Sequence, residues 1–196
     1  MGHCCICPKV EGRKRRRSWN VSVNNVFLRT ERLSLRHFVI QDRDALMDVF
    51  GDADVMRFGD GVQTKGWVHE WLGRCIESYR TRGFGAYAVV EEHSGNLIGY
   101  CGLFHFPDVN GQPEIEIGYR LARSAWGKGY ATEATRAVRD HAFNSLNIKR
   151  LIAIIDPANA ASIHVAKKVG MHYEADVMFE GYDHPDHVYV IEGGNV

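Results

Sequence analysis

The spacing of apolar residues divides the chain into short strands and helices. Polar and apolar residues alternate over residues 32–36, which predicts a half-buried strand. Apolar residues recur at steps of three and four over residues 66–79, as expected for an amphipathic helix. Between these segments, we expect Asp42 to cap a short helix that turns Leu46 and Phe50 inward.

Strands predominate in the middle of the chain. Residues 84–91 and 97–106 flank a glycine-containing turn and predict a hairpin, and Asn110-Gly111 marks the turn before a third strand, 114–121. The pattern then predicts a helix over 132–146, a buried strand over 149–156, a helix over 159–169, and strands over 171–179 and 187–191. The strand–helix–strand unit in this order predicts an α/β fold with at least one parallel pair inside a mixed sheet.

Composition restricts the classes of function. A chain of 196 residues fits one domain. Its 24 basic and 24 acidic side chains cancel, so no overall field attracts nucleic acid. Five positive charges follow one another at residues 13–17, which is typical of a solvated extension and also of a nuclear address or a polyanion-binding arm.

The start of the chain differs from the rest. Three of the five cysteines, Cys4, Cys5 and Cys7, lie there, which is a poor disulfide framework and indicates a reducing compartment. We expect residues 1–25 to be a disordered basic, cysteine-containing leader and residues 26–192 to form the folded domain. Without a long apolar run or a signal-peptide core, the sequence predicts a cytoplasmic protein, or a nuclear one if the basic run acts as a signal.

A glycine-containing turn connects the strand 114–121 to the helix that follows. Gly127 and Gly129 allow positive φ and a close approach of the backbone to a ligand. Amides of the turn and of the first helical turn then point towards one place, which suits a phosphate or pyrophosphate. Gly129 after Lys128 excludes the Walker pattern, and Thr132 stands where a dinucleotide fold requires its third glycine.

Four segments resemble one known family in the right order. Residues 126–134, Trp-Gly-Lys-Gly-Tyr-Ala-Thr-Glu-Ala, resemble the coenzyme A pyrophosphate loop of the Gcn5-related N-acetyltransferase (GNAT) superfamily, with Trp126 in place of the usual Gln or Arg. Residues 28–36 resemble the first strand of its ribosomal-protein N-terminal acetyltransferase branch. Residues 114–119 and 159–171 resemble the branch's fourth strand and second coenzyme A motif. The resemblance covers about residues 26 to 191.

The resemblance implies a fold and a set of ligands. It implies a mostly antiparallel twisted sheet with helices on both faces and a central parallel pair splayed apart for coenzyme A. The donor, acetyl-coenzyme A, would contact backbone and side chains of Ile117, Gly118, Tyr119, Trp126, Gly127, Lys128, Gly129, Tyr130, Ala131, Thr132 and Asn159. Asn159 is also a natural helix N-cap, and the two roles are compatible.

Amine acetylation requires a base and help for the leaving thiolate. Glu116 is the first choice for the base, and Glu114 is the alternate because a two-residue period puts both on one strand face. Ser162 stands where the branch has a proposed general acid, and a local backbone hydrogen bond is its other interpretation. His187 is more typical of a structural histidine, and no histidine spacing indicates a metal site.

These observations predict an N-acetyltransferase that moves acetyl from acetyl-coenzyme A directly to a primary amine. A protein N-terminal α-amine, a polyamine and another small amine all remain open as acceptors, and so do a monomer and a homodimer. Asp52, Asp54 and Asp60 are candidates for attracting a cationic acceptor or plain solvated charges. The alternatives are a non-catalytic acyl-coenzyme A-binding regulatory module and, less favoured, a nucleic-acid-binding protein that uses the basic run.

Overall fold

The computed structural model describes residues 26–194, so the predictions for the basic and cysteine-containing leader lie outside the described residues. Within that range the strands form one eight-stranded sheet. They are β1 (Val26–Arg29), β2 (Leu33–Arg36), β3 (Ala86–Glu91), β4 (Leu97–Val109), β5 (Gln112–Leu121), β6 (Arg150–Ile155), β7 (His172–Val177) and β8 (Asp186–Glu192).

Five α-helices connect the strands within the described residues. They are α1 (Met47–Phe50), α2 (Ala53–Met56), α3 (Lys65–Arg82), α4 (Tyr130–Asn144) and α5 (Ala160–Lys168), with 3₁₀ turns at Ile40–Arg43 and Arg123–Ala125. The longer helices begin where the sequence supplies caps: the Thr64 hydroxyl accepts from the Trp67 amide, and the Asn159 side chain accepts from the Ser162 amide. No helix among residues 26–194 combines the length and apolar character that crossing a bilayer requires.

The order of strands across the sheet is β1-β2-β3-β4-β5-β6-β8-β7. Neighbouring strands are antiparallel except β5 and β6, which pair in parallel and are connected along the chain by α4. The predicted mixed sheet with a central parallel pair is therefore confirmed. β5 and β6 are held together at the register Glu116–Ile152, and beyond it the two strands part.

Both faces of the sheet are buried, which explains the nearly continuous apolar runs in β3 and β4. Tyr87 and Val89 of β3 face a core formed with α4 and α5. Ala86 and Ala88 alternate with them and face a second core formed with α1, α2 and α3. This second core contains fully buried Trp71, as expected for an apolar residue on the inner face of an amphipathic helix.

Two local predictions for the first fifty residues were wrong. Asp42 does not cap a helix: it lies inside the 3₁₀ turn, where its carboxylate accepts from the Val39 amide at 2.9 Å and pairs with Arg36 at 2.7 Å. Leu46 and Phe50 are buried as expected, but they belong to the short helical segment that ends with α1. The described residues also begin with two strands rather than one, because the short β1 pairs with β2.

Candidate active site

A cleft of about 720 Å³ opens where β5 and β6 part. Its walls come from the second half of β5, the end of β6, the loop before α4, and α5. Ten of the eleven residues that the resemblance assigned to the donor line it: Ile117, Gly118, Tyr119, Trp126, Gly127, Gly129, Tyr130, Ala131, Thr132 and Asn159. Both proposed catalytic residues, Glu116 and Ser162, line the same cleft.

The loop before α4 has the backbone conformation that its glycines allow. Gly127 and Gly129 have φ of 74° and 82°, in the left-handed region that disfavours side chains, and Gly129 is the N-cap of α4. A Cβ added at Gly127 would meet nothing within 4 Å, so the surface above the loop is open. The first turn of α4 lines the cleft through Tyr130, Ala131 and Thr132, so the positive end of the helix dipole lies at the cleft.

Three contacts hold this loop in place. The Trp126 indole donates to the Leu121 carbonyl at 2.8 Å, and the Tyr130 hydroxyl donates to Glu91 at 2.6 Å. The Lys128 carbonyl accepts from an Arg32 guanidinium nitrogen at 2.9 Å. Lys128 is the one predicted donor-binding residue that does not line the cleft: its ammonium lies 5.9 Å from the centre of the Tyr130 ring.

Glu133, which sequence reasoning did not single out, anchors the same loop from behind. Its carboxylate accepts from the Thr30 hydroxyl at 2.6 Å and from the Arg32 amide at 2.9 Å. Burial alone would raise the pKa of Glu133, but these hydrogen bonds outweigh burial and lower the pKa. The available signal was an acidic residue in the first turn of a helix, which indicates only favourable interaction with the helix dipole.

Glu116 lies at the point where β5 and β6 part. The residue is only 6% exposed, and its carboxylate accepts from the Ile154 amide at 3.4 Å. Burial raises the pKa of Glu116 to about 8, with Asp186 adding to the increase while the Ile154 amide and Arg120 oppose it. A carboxylate with such a pKa changes protonation state near neutrality, as a general base should.

Glu114, the alternate base, has a different environment. Its carboxylate accepts from Arg150 at 3.0 Å and from Gln112 at 3.3 Å, and it is absent from the residues that line the cleft. Arg150 also pairs with Glu174, which joins β5, β6 and β7 below the cleft. The geometry therefore gives Glu114 a role in holding three strands together.

The opposite wall carries two hydroxyl groups. The Tyr119 hydroxyl and the Ser162 hydroxyl lie 3.3 Å apart, one from β5 and one from the first turn of α5. Burial raises the pKa of Tyr119 to about 12, and the bond to Ser162 opposes that change. Tyr119 is therefore protonated at neutral pH and available as a hydrogen-bond donor.

The far end of the cleft contains charged groups that sequence reasoning missed. Arg120 donates to the Phe58 carbonyl at 3.2 Å and fastens the loop after α2 against β5. Asp186, at the start of β8, is 6% exposed and lines the cleft with Asp156 and His184. The signal for Asp186 was its position in step with the buried apolar residues of β8, where a charge is unusual.

The other candidates lie elsewhere. His187 does not line the cleft: its ring packs edge-on against Tyr173 and lies 3.7 Å from Asp176. Of the three aspartates considered for attracting an acceptor, Asp54 lines the cleft but pairs with Arg123. Asp52 caps α2 and contacts the same arginine at 3.1 Å.

A match to a protein-family model identifies the family. The model for the acetyltransferase (GNAT) domain matches residues 32–172. The chain belongs to the GNAT acetyltransferase family. Its reaction class is therefore transfer of an acetyl group from acetyl-coenzyme A to an amine.

Individual relatives and solved structures are similar to most of this chain. The YkkB protein of Bacillus subtilis is 36% identical over 149 residues, which cover 76% of this chain and 86% of YkkB. An acetyltransferase from Agrobacterium tumefaciens superposes with a TM-score of 0.73 at 29% identity, covering 91% of this chain and 99% of that one. The ribosomal L7/L12 α-N-protein acetyltransferase RimL, solved with coenzyme A, shares the fold with a TM-score of 0.70 at 18% identity, covering 85% and 97%.

Proposed function

We propose that this GNAT domain acetylates a primary amine that enters beside Glu116, with acetyl-coenzyme A held along the loop before α4. The observation that carries the proposal is Glu116 itself. It is a buried carboxylate at the mouth of the parted strands, with a pKa of about 8. An alkyl ammonium has a pKa near 10.4, so a base of this kind is needed to produce the neutral nucleophile at neutral pH.

The donor's pyrophosphate would lie over Gly127 and Gly129. Both glycines present backbone without a side chain, and the loop is fixed by the bonds of Trp126 and Tyr130. Preorganised amides at a helix N-terminus bind phosphate oxygens without a further cation. Lys128, which does not line the cleft, is not needed for this contact.

The thioester would lie between the parted strands. Beyond the register Glu116–Ile152, β5 has no ladder partner on its β6 side within the described residues. The main chain of Ile117, Gly118 and Tyr119 can then bind the donor arm and the negative charge that develops on the thioester oxygen. A Cβ at Gly118 would come within 3.3 Å of the Phe104 ring and 3.8 Å of the Glu116 carboxylate carbon, so glycine avoids crowding these two side chains.

The departing thiolate would be stabilised from the other wall. The Ser162 hydroxyl accepts from Tyr119 and is free to turn its own proton towards the sulfur. A thiol with a pKa of about 8.5 leaves readily, so a hydrogen bond is sufficient help. Asn159 is occupied as the cap of α5 through its side-chain oxygen, and its amide NH₂ remains for the donor arm.

The acceptor classes that remain are a protein N-terminal α-amine and a small aliphatic amine. A non-catalytic acyl-coenzyme A-binding module is the second candidate. It would need the loop at Gly127 and Gly129 but would gain nothing from a buried carboxylate at Glu116. Because burying this carboxylate is unfavourable for folding, its presence favours the enzyme.

Calorimetric titration with acetyl-coenzyme A tests the donor site. Gly129→Glu puts a bulky anion where the pyrophosphate should lie, and we expect binding to be lost. Gly111→Glu is the matched control, since Gly111 has a φ of 89°, an open Cβ position and no place in the cleft. Equal loss in both variants, or no binding by the wild type, would refute the donor site.

Turnover separates the enzyme from the binding module. Release of the free thiol of coenzyme A is followed with a panel of amines and with peptides that have free N-termini. Transfer to any of these acceptors supports the enzyme. Donor binding without transfer across the whole panel favours the module.

A further inference from the structure

Asp186 is a buried carboxylate whose charge the fold leaves incompletely compensated. It is 6% exposed, and no hydrogen bond to its carboxylate is present within residues 26–194. Burial raises the pKa of Asp186, and the neighbouring Asp156 raises it further, while His184 and His187 oppose the change. A buried carboxylate with so little support is costly unless a cation approaches it.

A second carboxylate, that of Asp156, lies beside Asp186 and can accept from such a cation. One side-chain atom from each of Asp156, His184 and Asp186 lies within 4.8 Å of the others, and all three residues line the cleft. His184 directs its two ring nitrogens to Asp183 at 2.7 Å and to Asp156 at 3.4 Å. Its positive charge, when present, is therefore matched mainly by those two carboxylates.

The spacing of these atoms fits an ammonium group. Charge-assisted N–H···O bonds of about 2.8 Å, arranged tetrahedrally, set acceptor atoms about 4.6 Å apart. A metal ion with bonds of about 2.1 Å needs ligand atoms roughly 3.4 Å apart. Carboxylate oxygens of Asp156 and Asp186 within 4.8 Å of each other can both accept from one ammonium group, and the test below separates this ligand from a metal ion.

Asp186 also shares its cleft with Glu116. The two carboxylates lie on β8 and β5, on either side of β6, and the charge of Asp186 raises the pKa of Glu116. A molecule with one cationic nitrogen at each carboxylate would compensate both. A molecule with a single nitrogen, bound at Glu116 for reaction, would leave the charge of Asp186 without a cationic partner.

We infer that Asp186 is a specificity-determining residue that binds a second ammonium group of the acceptor, so that the chain prefers diamines over monoamines. The inference rests on the proposed function, since it takes Glu116 as the place of the reacting nitrogen. It adds a second cation subsite, with Asp156 and His184 as its remaining walls. The acceptor class is an aliphatic amine that carries a further cationic nitrogen.

The test compares 1,4-diaminobutane with butylamine, which has the same chain and one nitrogen. In the wild type we expect the KM for the diamine to be at least about 10-fold lower, as a charge-assisted hydrogen bond at a buried carboxylate gives. In Asp186→Asn the ratio of the two KM values should approach one. General effects of the substitution on folding or on Glu116 cancel in this ratio.

Asp140→Asn is the control, because it removes the same charge from an aspartate of α4 that does not line the cleft. It should leave the ratio unchanged. If Asp186→Asn does not fold, the ratio of the two KM values in the wild type still tests the inference. This ratio should fall towards one at high salt, because salt screens the attraction between Asp186 and the second ammonium group.

Several results would overturn the inference. Equal KM values for the two amines in the wild type would do so while leaving the proposed acetyl transfer intact. Acetyl transfer to a peptide but to neither amine would likewise overturn the inference and leave the proposed acetyl transfer intact. Binding of Zn²⁺ or Mn²⁺ that is lost in Asp186→Asn would give the cluster to a metal ion instead. Transfer to no acceptor of any kind would refute the proposed function as well.

Discussion

Glu114 and Glu116 are two residues apart on β5, but their carboxylates have different neighbours. Glu114 accepts from Arg150 at 3.0 Å, whereas Glu116, which lines the cleft, accepts among residues 26–194 only from the Ile154 amide at 3.4 Å. An arginine partner compensates the charge of the first carboxylate. Burial without such a partner leaves the second one with a pKa of about 8. The two carboxylates, which the strand period places on one face, therefore lie in different environments.

Glu116→Gln is expected to lower kcat/KM for an amine acceptor about 100-fold or more, because general bases contribute roughly 10²–10⁴ in rate. Acetyl-coenzyme A affinity should change little. In the wild type, kcat/KM should rise with pH and level off near pH 8, as Glu116 ionises. Steady-state rates across pH 6 to 10 check this. If kcat/KM of the variant rises with pH as it does in the wild type, the base is a group other than Glu116.

Glu114→Gln serves as the matched comparison, with the same chemical change two residues away. It removes the charge that faces Arg150, which is 26% exposed in its side chain. We expect a loss of about 1–3 kcal/mol in the free energy of unfolding and turnover close to wild type. Turnover lost in Glu114→Gln but kept in Glu116→Gln would reverse the assignment.

The raised pKa of Glu116 also predicts how stability depends on pH. The folded protein keeps a proton that the unfolded chain releases near its ordinary pKa of 4.5, so wild-type stability falls between about pH 4.5 and pH 8. Glutamine does not ionise, so its contribution to stability does not change with pH. The variant should therefore gain on the order of 3–5 kcal/mol relative to wild type between pH 5 and pH 9. Urea unfolding of both proteins at the two pH values measures the change, and a constant difference would contradict the raised pKa.

The bond between Tyr119 and Ser162 predicts coupling between the two hydroxyl groups. Tyr119→Phe and Ser162→Ala should each lower kcat by about 3- to 30-fold, because each removes a hydrogen bond near the leaving thiolate. The double variant should lose little more than the worse single one, since the pair acts as one unit. Additive losses would show that the hydroxyl groups act independently.

Much of the fold follows from local sequence. The helical spacing of apolar residues located α3, and the glycine-containing turn between two apolar runs located β3 and β4. Gly127 and Gly129 marked the turn that opens α4, because only a glycine takes positive φ there without strain. The element most visibly misread was the segment around Asp42. Its carboxylate could serve either a helix or a turn, and the nearby Arg36 decided for the turn.

The charges of the site depended on contacts that no local pattern contains. Glu133 meets Thr30 across more than a hundred positions of sequence, and Asp186 meets Asp156 only because β8 returns beside β6. The difference in environment between Glu116 and Glu114 likewise depends on Arg150, a residue of another strand. Periodicity identifies which face a side chain occupies, but its partners are set by the order of strands in the sheet.

Glu133 gives the last prediction, because it joins the start of the sheet to the donor loop. Glu133→Ala removes the acceptor of Thr30 and Arg32, and Arg32 in turn holds the Lys128 carbonyl. We expect a loss of about 1–3 kcal/mol in the free energy of unfolding and a several-fold weaker affinity for acetyl-coenzyme A. Urea unfolding and calorimetry measure the two effects.

Glu92→Ala is the control for Glu133, since Glu92 pairs with Arg29 at a site where both side chains are exposed by 37% or more. An exposed pair of this kind contributes at most about 1 kcal/mol. Donor affinity should be unchanged in this variant. If both variants weaken donor binding equally, the loop is not held through Glu133, and the fixed position of the Gly127 and Gly129 amides must come from Trp126 and Tyr130 alone.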